Sequence, residues 1–348
     1  MRSFTDTMPV PFDSSAALEQ GFADGLAALL AAHRGLGVYI LVLANAAYDP
    51  ALWARLAPVL AERHAELAAA VAATLLRGGT LAEPDDDVMV FLKLNLIGFE
   101  RLGRMESRRA GPWQVLFNPL RALRPPRASS VRFEGLLRPF DPAGFHFNKP
   151  FLAREVLWSG TLGGASARLL YNKFPFARLH GLLVPEPERC LPQRLTPELH
   201  AWAWELCARS KLPGLRLGYN SLGAGASVNH LHFQSFVPAG PLPIDNPLFT
   251  HNGGSRPYPL PCHRHTRRDA AWQQIERLHQ HNQPYNLVYS PAGLILVPRI
   301  PQDSDRLAST CRTYGWSEMA GVVTRFSRDP YASLDTAGYE AELASFAP

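Results

Sequence analysis

The sequence predicts an α+β protein in which a helical N-terminal region, 1–110, precedes a mostly antiparallel sheet over 111–348. Three observations carry this expectation. The first third is Ala/Leu-rich with apolar residues at helical spacing. Near Trp113 the composition shifts to Pro, Gly and short β-type runs. Beyond that point one hairpin design occurs twice.

The elements follow in order. Ser15–Ala32 reads as a helix, with Glu19 and Asp24 on its intervening positions. Residues 35–48 form the longest uncharged apolar stretch. It is too short to span a bilayer and is broken by Asn45, so it reads as a buried core segment. Asp49 is placed to cap a helix that starts with Pro50, because the carboxylate can accept from first-turn N–H groups and proline lacks one. Leu52, Leu56, Leu60 and Leu67 then recur until Arg77-Gly78-Gly79 ends the run. Residues 85–104 suggest a third helix. These helices carry no recognisable chemistry; they would either pack on a catalytic core or form a dimer interface. Strands are expected over Trp113–Phe117, 135–138, 155–159, 167–172, 181–184, 227–237, Tyr285–Ser290 and Gly293–Pro298, with helices over 196–210 and 269–282.

The repeated design runs from Leu170-Tyr171-Asn172 to Leu182-Leu183-Val184-Pro185, and again from Tyr285-Asn286-Leu287 to Leu294-Ile295-Leu296-Val297-Pro298. Each is a strand, a turn, and a strand stopped by Val-Pro. This suggests a duplicated arrangement, with an active half over about 111–245 and a degenerate half over about 255–348.

A net charge of +5 and a pI near 9.1 suit an anionic ligand but do not by themselves argue for nucleic acid. The basic cluster at Arg121, Arg124 and Arg127 is short and broken by Pro125 and Pro126. Cys190, Cys207, Cys262 and Cys311 are scattered, as expected of reduced thiols in a cytoplasmic protein. The first twelve residues lack the layout of a secretory signal.

The chemistry concentrates in 217–234. His230, His232 and Gln234 alternate with apolar Leu231 and Phe233, so on a strand the three polar side chains would share one wall about 7 Å apart. The small-residue loop before them, with Gly223, Gly225 and Ser227, would let backbone N–H groups approach phosphate oxygens. Neutral imidazole is a competent nucleophile at phosphorus when one ring nitrogen is tied to a fixed acceptor. His230 or its carbonyl could supply that acceptor, while Gln234 and Ser227 donate to non-bridging oxygens. The HxH spacing also suits zinc, which Cys262, His263 and His265 could complete through space; no metal is the favoured expectation.

The string His-Leu-His-Phe-Gln, 230–234, resembles the HxHxQ motif of the histidine-triad (HIT-like) superfamily. Within it, the string resembles the motif of the branch of galactose-1-phosphate uridylyltransferase and the Ap4A phosphorylases. The longer stretch 217–234 is most similar to the GDP-L-galactose/GDP-D-glucose phosphorylase family, as are 190–195, 117–126, 138–141, 145–149, 284–287 and 316–321. The resemblance covers about 113–325 in order. It implies a HIT-like sheet and a nucleotidyl-histidine intermediate on His232, with Gln234 on the reacting phosphate. It also implies phosphate contacts from Asn220 and Ser227 and an orienting role for His180. Ser221, Gly223, Gly225 and Asn229 join the candidate substrate-binding set, and His230 joins His232 and Gln234 in the catalytic one. Arg121, Arg124 and Lys149 are candidates for phosphate neutralisation, and Asn172 and Asn286 for binding at the two hairpins. Asn172-Lys173-Phe174-Pro175 reads more like the tetraphosphate phosphorylases.

The implied activity is phosphorolysis of a nucleoside diphosphate sugar, with GDP-hexose favoured, giving hexose 1-phosphate and a nucleoside diphosphate. The alternatives are a dinucleoside polyphosphate phosphorylase, a transferase with another acceptor, or a silent nucleotide-binding protein. Inorganic phosphate would be co-substrate and no cofactor is required. Expected partners are the nucleotide sugar and phosphate, with a homodimer allowed and neither nucleic acid nor membrane.

Overall fold

The computed structural model describes residues 10–102, 105–123 and 132–348; Arg124 lies outside them. Four helices open the chain: α1 (Ser15–Ala32), α2 (Leu36–Ala46), α3 (Pro50–Leu76) and α4 (Asp85–Ile97). Asp49 caps α3 as expected, its Oδ1 accepting from Ala51 N at 2.9 Å and Leu52 N at 3.1 Å. Such a cap contributes about 1 kcal/mol. Every residue of α2 is buried, which accounts for its unbroken apolar sequence. The predicted third helix stops at Ile97, because Gly98 takes φ +85° and a 3-10 turn, Phe99–Arg101, follows. Among the described residues, no helix is long and apolar enough to cross a membrane.

Strands β1 (Glu106–Ala110) and β2 (Trp113–Phe117) form a hairpin, and β11 (Val322–Arg325) joins β2 in parallel. The main sheet contains β3 (Val156–Leu162), β4 (Ala165–Tyr171), β5 (Gly181–Pro185), β6 (Arg216–Asn220), β7 (Phe233–Phe236), β8 (His263–His265), β9 (Tyr285–Ser290) and β10 (Gly293–Pro298). Their spatial order is β3-β4-β5-β7-β6-β9-β10-β8, and every pair is antiparallel. The predicted α+β class with an antiparallel sheet and a helical N-terminal region is therefore correct. Both echoing hairpins, β4–β5 and β9–β10, belong to this sheet, separated by β7 and β6.

Helices α5 (Pro197–Arg209) and α6 (Arg268–Gln280) share one hydrophobic cluster with the N-terminal helices and one sheet face, including Leu183, Phe233, Tyr219, Leu287 and Leu296. The opposite face is set by register. Val156, Leu170, Leu182, Gln234, Gly218, Val288 and Ile295 lie side by side across seven strands. Cross-strand partners project to the same face, so this row crosses the sheet as one line. Its β9–β10 end is covered by a second cluster containing Trp316, Tyr314, Met319 and Phe346, which includes α7 (Trp316–Met319) and α9 (Thr336–Ala344). A short helix, α8 (Arg328–Ser333), lies between those two elements in sequence.

Two strand expectations need correction. Residues 135–138 form no strand: Leu136 N donates to Asn282 Oδ1 at 2.7 Å, and the Arg138 carbonyl accepts from Asn229 Nδ2 at 3.1 Å. Side chains satisfy this backbone in place of a ladder. The expected strand over 227–237 shortens to Phe233–Phe236. Upstream of it, Leu231 N donates to the Leu191 carbonyl at 2.7 Å and His232 N to Gln193 Oε1 at 2.9 Å. His230 and His232 thus lie in an extended lead-in to β7, not on the strand itself.

Candidate active site

The row of partners ends in a cleft of about 330 Å³. Leu170, Leu182 and Gln234 form part of its lining, His232 lies beside them, and α2 and the start of α4 close it through Gly37, Asp86 and Asp87. The N-terminal helices therefore contribute directly to the cavity.

His232 is 6% exposed and its ring lines the cleft. Nδ1 lies 2.8 Å from the His230 carbonyl. A carbonyl can only accept, so Nδ1 carries the proton and Nε2 the lone pair. The backbone is clamped as firmly as the ring. Gln193, 1% exposed, accepts from His232 N and donates through Nε2 to the carbonyls of Asn220 (2.9 Å) and His232 (3.2 Å). Phe147 meets the His232 ring edge-on at 4.9 Å.

His230 is buried and does not line the cleft. Its Nδ1 accepts from Phe147 N at 3.1 Å. Burial first, then the neighbouring His232, His146 and Arg168, lower its pKa to about 4 and keep it neutral. Its contribution to the site is the carbonyl that orients His232.

Gln234 is aimed by a residue far along the chain. Trp316 Nε1 donates to Gln234 Oε1 at 2.9 Å, which leaves the amide NH₂ as the end able to donate toward a ligand. The indole can approach because Gly218 lies beneath it; a Cβ there would sit 2.3 Å from the ring. Asn220 Oδ1 holds the same segment, accepting from Trp316 N at 2.8 Å and from Asn286 Nδ2 at 2.7 Å. Asn286 Nδ2 also donates to the Ala224 carbonyl at 2.7 Å. Asn220, at the end of β6, and Asn286 of the second hairpin are direct cross-strand partners, so the pair anchors the loop that follows β6.

That loop differs from the expected phosphate cradle. Gly223 and Gly225 have φ of +74° and +96°, where a side chain would be strained. Gly225 N donates to Gln302 Oε1 at 2.7 Å, so this N–H is committed within the protein. Ser221 Oγ is occupied by Leu222 O and Tyr285 N. Asn229 staples the Arg138 and Pro139 carbonyls to Gln193 N.

Among the predicted residues, His232, Gln234, Asn220, Gly225, Ser227, Arg121 and Asn172 line the cleft; His230, Ser221, Gly223, Asn229, Lys149 and His180 do not. Lys149 Nζ donates to the Pro142 and Ala143 carbonyls at 3.1 and 3.3 Å. His180 is fully buried and lies 3.2 Å from Asn172 Nδ2, behind the wall. Arg121 stacks on Phe176 at 4.4 Å, and its Nη1 has no hydrogen-bond partner among the described residues. A cation so placed suits an anionic ligand. Across from it Glu318 is buried and its pKa is raised by desolvation; it accepts from Gly315 N at 2.9 Å. Among the described residues no group of three His, Cys, Asp or Glu is placed to hold a metal ion. His265 is instead paired with Gln274 at 2.6 Å. All four cysteines are free.

Sequence reasoning missed Trp316, Gln193 and Glu155 as site residues. Gln193 and Trp316 fall in stretches quoted for the resemblance, but their roles depend on pairings distant in sequence. Glu155 carried no local signal.

Residues 114–236 match the family model described as GDPGP1-like, N-terminal domain. The chain is 42% identical over 130 residues to human GDP-D-glucose phosphorylase 1, covering 35% of this chain and 32% of that protein. It is 33% identical over 136 residues to GDP-L-galactose phosphorylase 1 of Arabidopsis thaliana, covering 34% and 30%. The chain thus spans about a third of the length of the curated relatives it matches. The crystal structure of yeast Ap4A phosphorylase Apa2 aligns with a TM-score of 0.49 at 17% identity, covering 76% of this chain and 95% of that one.

Proposed function

With residues 114–236 matched to the GDPGP1-like N-terminal domain, we propose that the chain is a GDP-hexose phosphorylase acting by two displacements at His232. Nε2 attacks the α-phosphorus, the bond to the hexose 1-phosphate oxygen breaks, and hexose 1-phosphate leaves. An oxygen of inorganic phosphate then attacks the nucleotidyl-histidine, forming GDP and returning the lone pair to Nε2. No metal or cofactor enters either step.

The observation that carries this reading is the Nδ1–H to His230 carbonyl bond, which fixes the nucleophilic tautomer in a ring lining the cleft. As Nε2 forms its bond to phosphorus the imidazole becomes cationic, and the carbonyl stabilises that charge without moving. The Gln234 amide would donate to a non-bridging oxygen, and the Arg121 guanidinium would offset the phosphate charge. Asn220 and Ser227 would line the phosphate path, while His180 would act through Asn172. The catalytic unit includes the N-terminal helices, since α2 and α4 close the cleft. The protein would work in the cytoplasm.

The test is direct. With GDP-hexose labelled in the α-phosphate and no inorganic phosphate, the wild type should retain label after denaturation and His232→Asn should retain none. Adding phosphate should discharge the label as GDP. Absence of label on the wild type would overturn the mechanism. Phosphate-dependent cleavage of Ap4A alone would transfer the reading to a dinucleoside polyphosphate. The Asn172-Lys173 stretch in the cleft wall is the feature that favours that substrate.

A further inference from the structure

The part of the cleft beside β3 is chemically unlike the part beside Trp316. Glu155 immediately precedes β3 and is 8% exposed, yet it lines the cavity. Among the described residues nothing hydrogen-bonds to its carboxylate, which leaves it available to a ligand in the cleft. Its surroundings mix rings with charge: Phe145, Phe147, Phe151 and Leu152 line the same cavity, with Phe145 and Phe151 centred 6.3 Å apart, and so do Asp87, Arg154 and Lys173. Phe151 is 52% exposed, so part of its ring is open to solvent.

Register gives the distance from this group to His232. Val156, Leu170, Leu182 and Gln234 occupy adjacent strands, and the register sets Glu155 level with Tyr171, Gly181 and Ser235, so Glu155 and the His232 lead-in lie three interstrand spacings apart and about three residues apart along the strands, about 17 Å between backbones. Both residues line the one cavity, at a separation that a nucleoside monophosphate laid along the cleft can bridge. A phosphate at His232 would place its base among the phenylalanines with its edge at Glu155.

We propose that Glu155 reads guanine: its carboxylate accepts from the N1–H and the 2-amino group, while Phe145 and Phe151 pack against the ring. The inference rests on the phosphorylase reading and deepens it to base selection. An ionised carboxylate only accepts, so it pairs with two adjacent donors. Adenine presents a bare N1 on that edge, and uracil offers no second donor beside its N3–H. Burial raises the Glu155 pKa to about 7, with Lys173 and Arg154 acting against that rise and Asp87 adding to it. Guanine binding would favour the ionised form, so GDP affinity should fall as pH drops through about 7.

Calorimetry with the full chain tests this, using GDP, IDP (which lacks the 2-amino group) and ADP. The wild type should prefer GDP over IDP by about tenfold or more, the worth of a hydrogen bond to a charged acceptor. Glu155→Gln should bring the GDP/IDP ratio close to one and remove the GDP-specific pH dependence near 7. Glu155→Asp keeps the charge on a shorter arm and should lie between. An equal loss of GDP and IDP affinity in Glu155→Gln, or a change confined to hexose preference, would overturn the proposal. A wild type that releases hexose 1-phosphate yet binds GDP and IDP equally would overturn it while leaving the phosphorylase reading intact. A wild type that binds neither GDP nor GDP-hexose would remove both.

Discussion

The two echoing hairpins share a local design but meet different environments. In β4–β5, Leu170 and Leu182 line the cleft, and Asn172 and Lys173 extend that wall. In β9–β10, the equivalent face carries Val288 and Ile295, which are buried in the cluster around Trp316 and Phe346. One hairpin presents its face to a ligand; the other gives that face to the C-terminal segment. Asn286 accordingly braces Asn220, whereas Asn172 contacts His180 at the cavity edge. The same sequence pattern can thus serve as wall or as foundation, and the covering layer decides which.

The sharpest way to break this division is Gly218→Ala. A methyl 2.3 Å from the indole would expel Trp316 and misaim Gln234. Turnover should fall on the order of 100-fold, with a stability loss of about 1–3 kcal/mol measured by urea unfolding. Next comes the pair Ile295→Ala and Leu182→Ala. Ile295 is 5% exposed, and its truncation should cost about 2–4 kcal/mol with little change in KM. Leu182, half-buried at the cleft, should cost less stability and raise KM for the nucleotide.

The asparagines give a finer comparison. Asn286→Ala would remove two donors and should cost about 1–3 kcal/mol, lowering kcat through Asn220. Asn172→Ala should cost less and act mainly on KM. Equal effects at both positions would erase the distinction between the hairpins.

The last comparison is in acid. His200, His230 and His279 have pKa values lowered to about 4, chiefly by burial. Below about 6.5 the unfolded chain takes up protons that these folded-state imidazoles refuse, so stability falls as pH drops from 6.5 toward 4. Glu155, raised to about 7, opposes this by taking up its proton earlier when folded. The melting temperature should decline by on the order of ten degrees over that window. Glu155→Gln should make the decline steeper.

Much of this arrangement was legible from residues near one another in sequence. Asp49-Pro50 set the start of α3, the uncharged 35–48 stretch became buried α2, and both hairpins formed in place. His232 and Gln234 reached the cleft because their spacing is local. What was illegible depends on partners far along the chain. The 227–232 segment has strand-like alternation, but Leu191 and Gln193 take its backbone bonds. Gly223 and Gly225 looked like a phosphate loop, yet Gln302 occupies one of its N–H groups. Trp316 needs Gly218 beneath it, and no local pattern announces that match.

The parallel pairing of β11 with β2 has a kinetic consequence. Its two strands enter the chain at widely separated times, and long-range parallel contacts form slowly because a large loop must close first. The segment carrying Trp316 directly precedes β11 and is held between that strand and Gly218. During synthesis, His232 and its orienting carbonyl would be in place before the residue that aims Gln234 has left the ribosome. Competence would therefore arrive late, when β11 docks on β2.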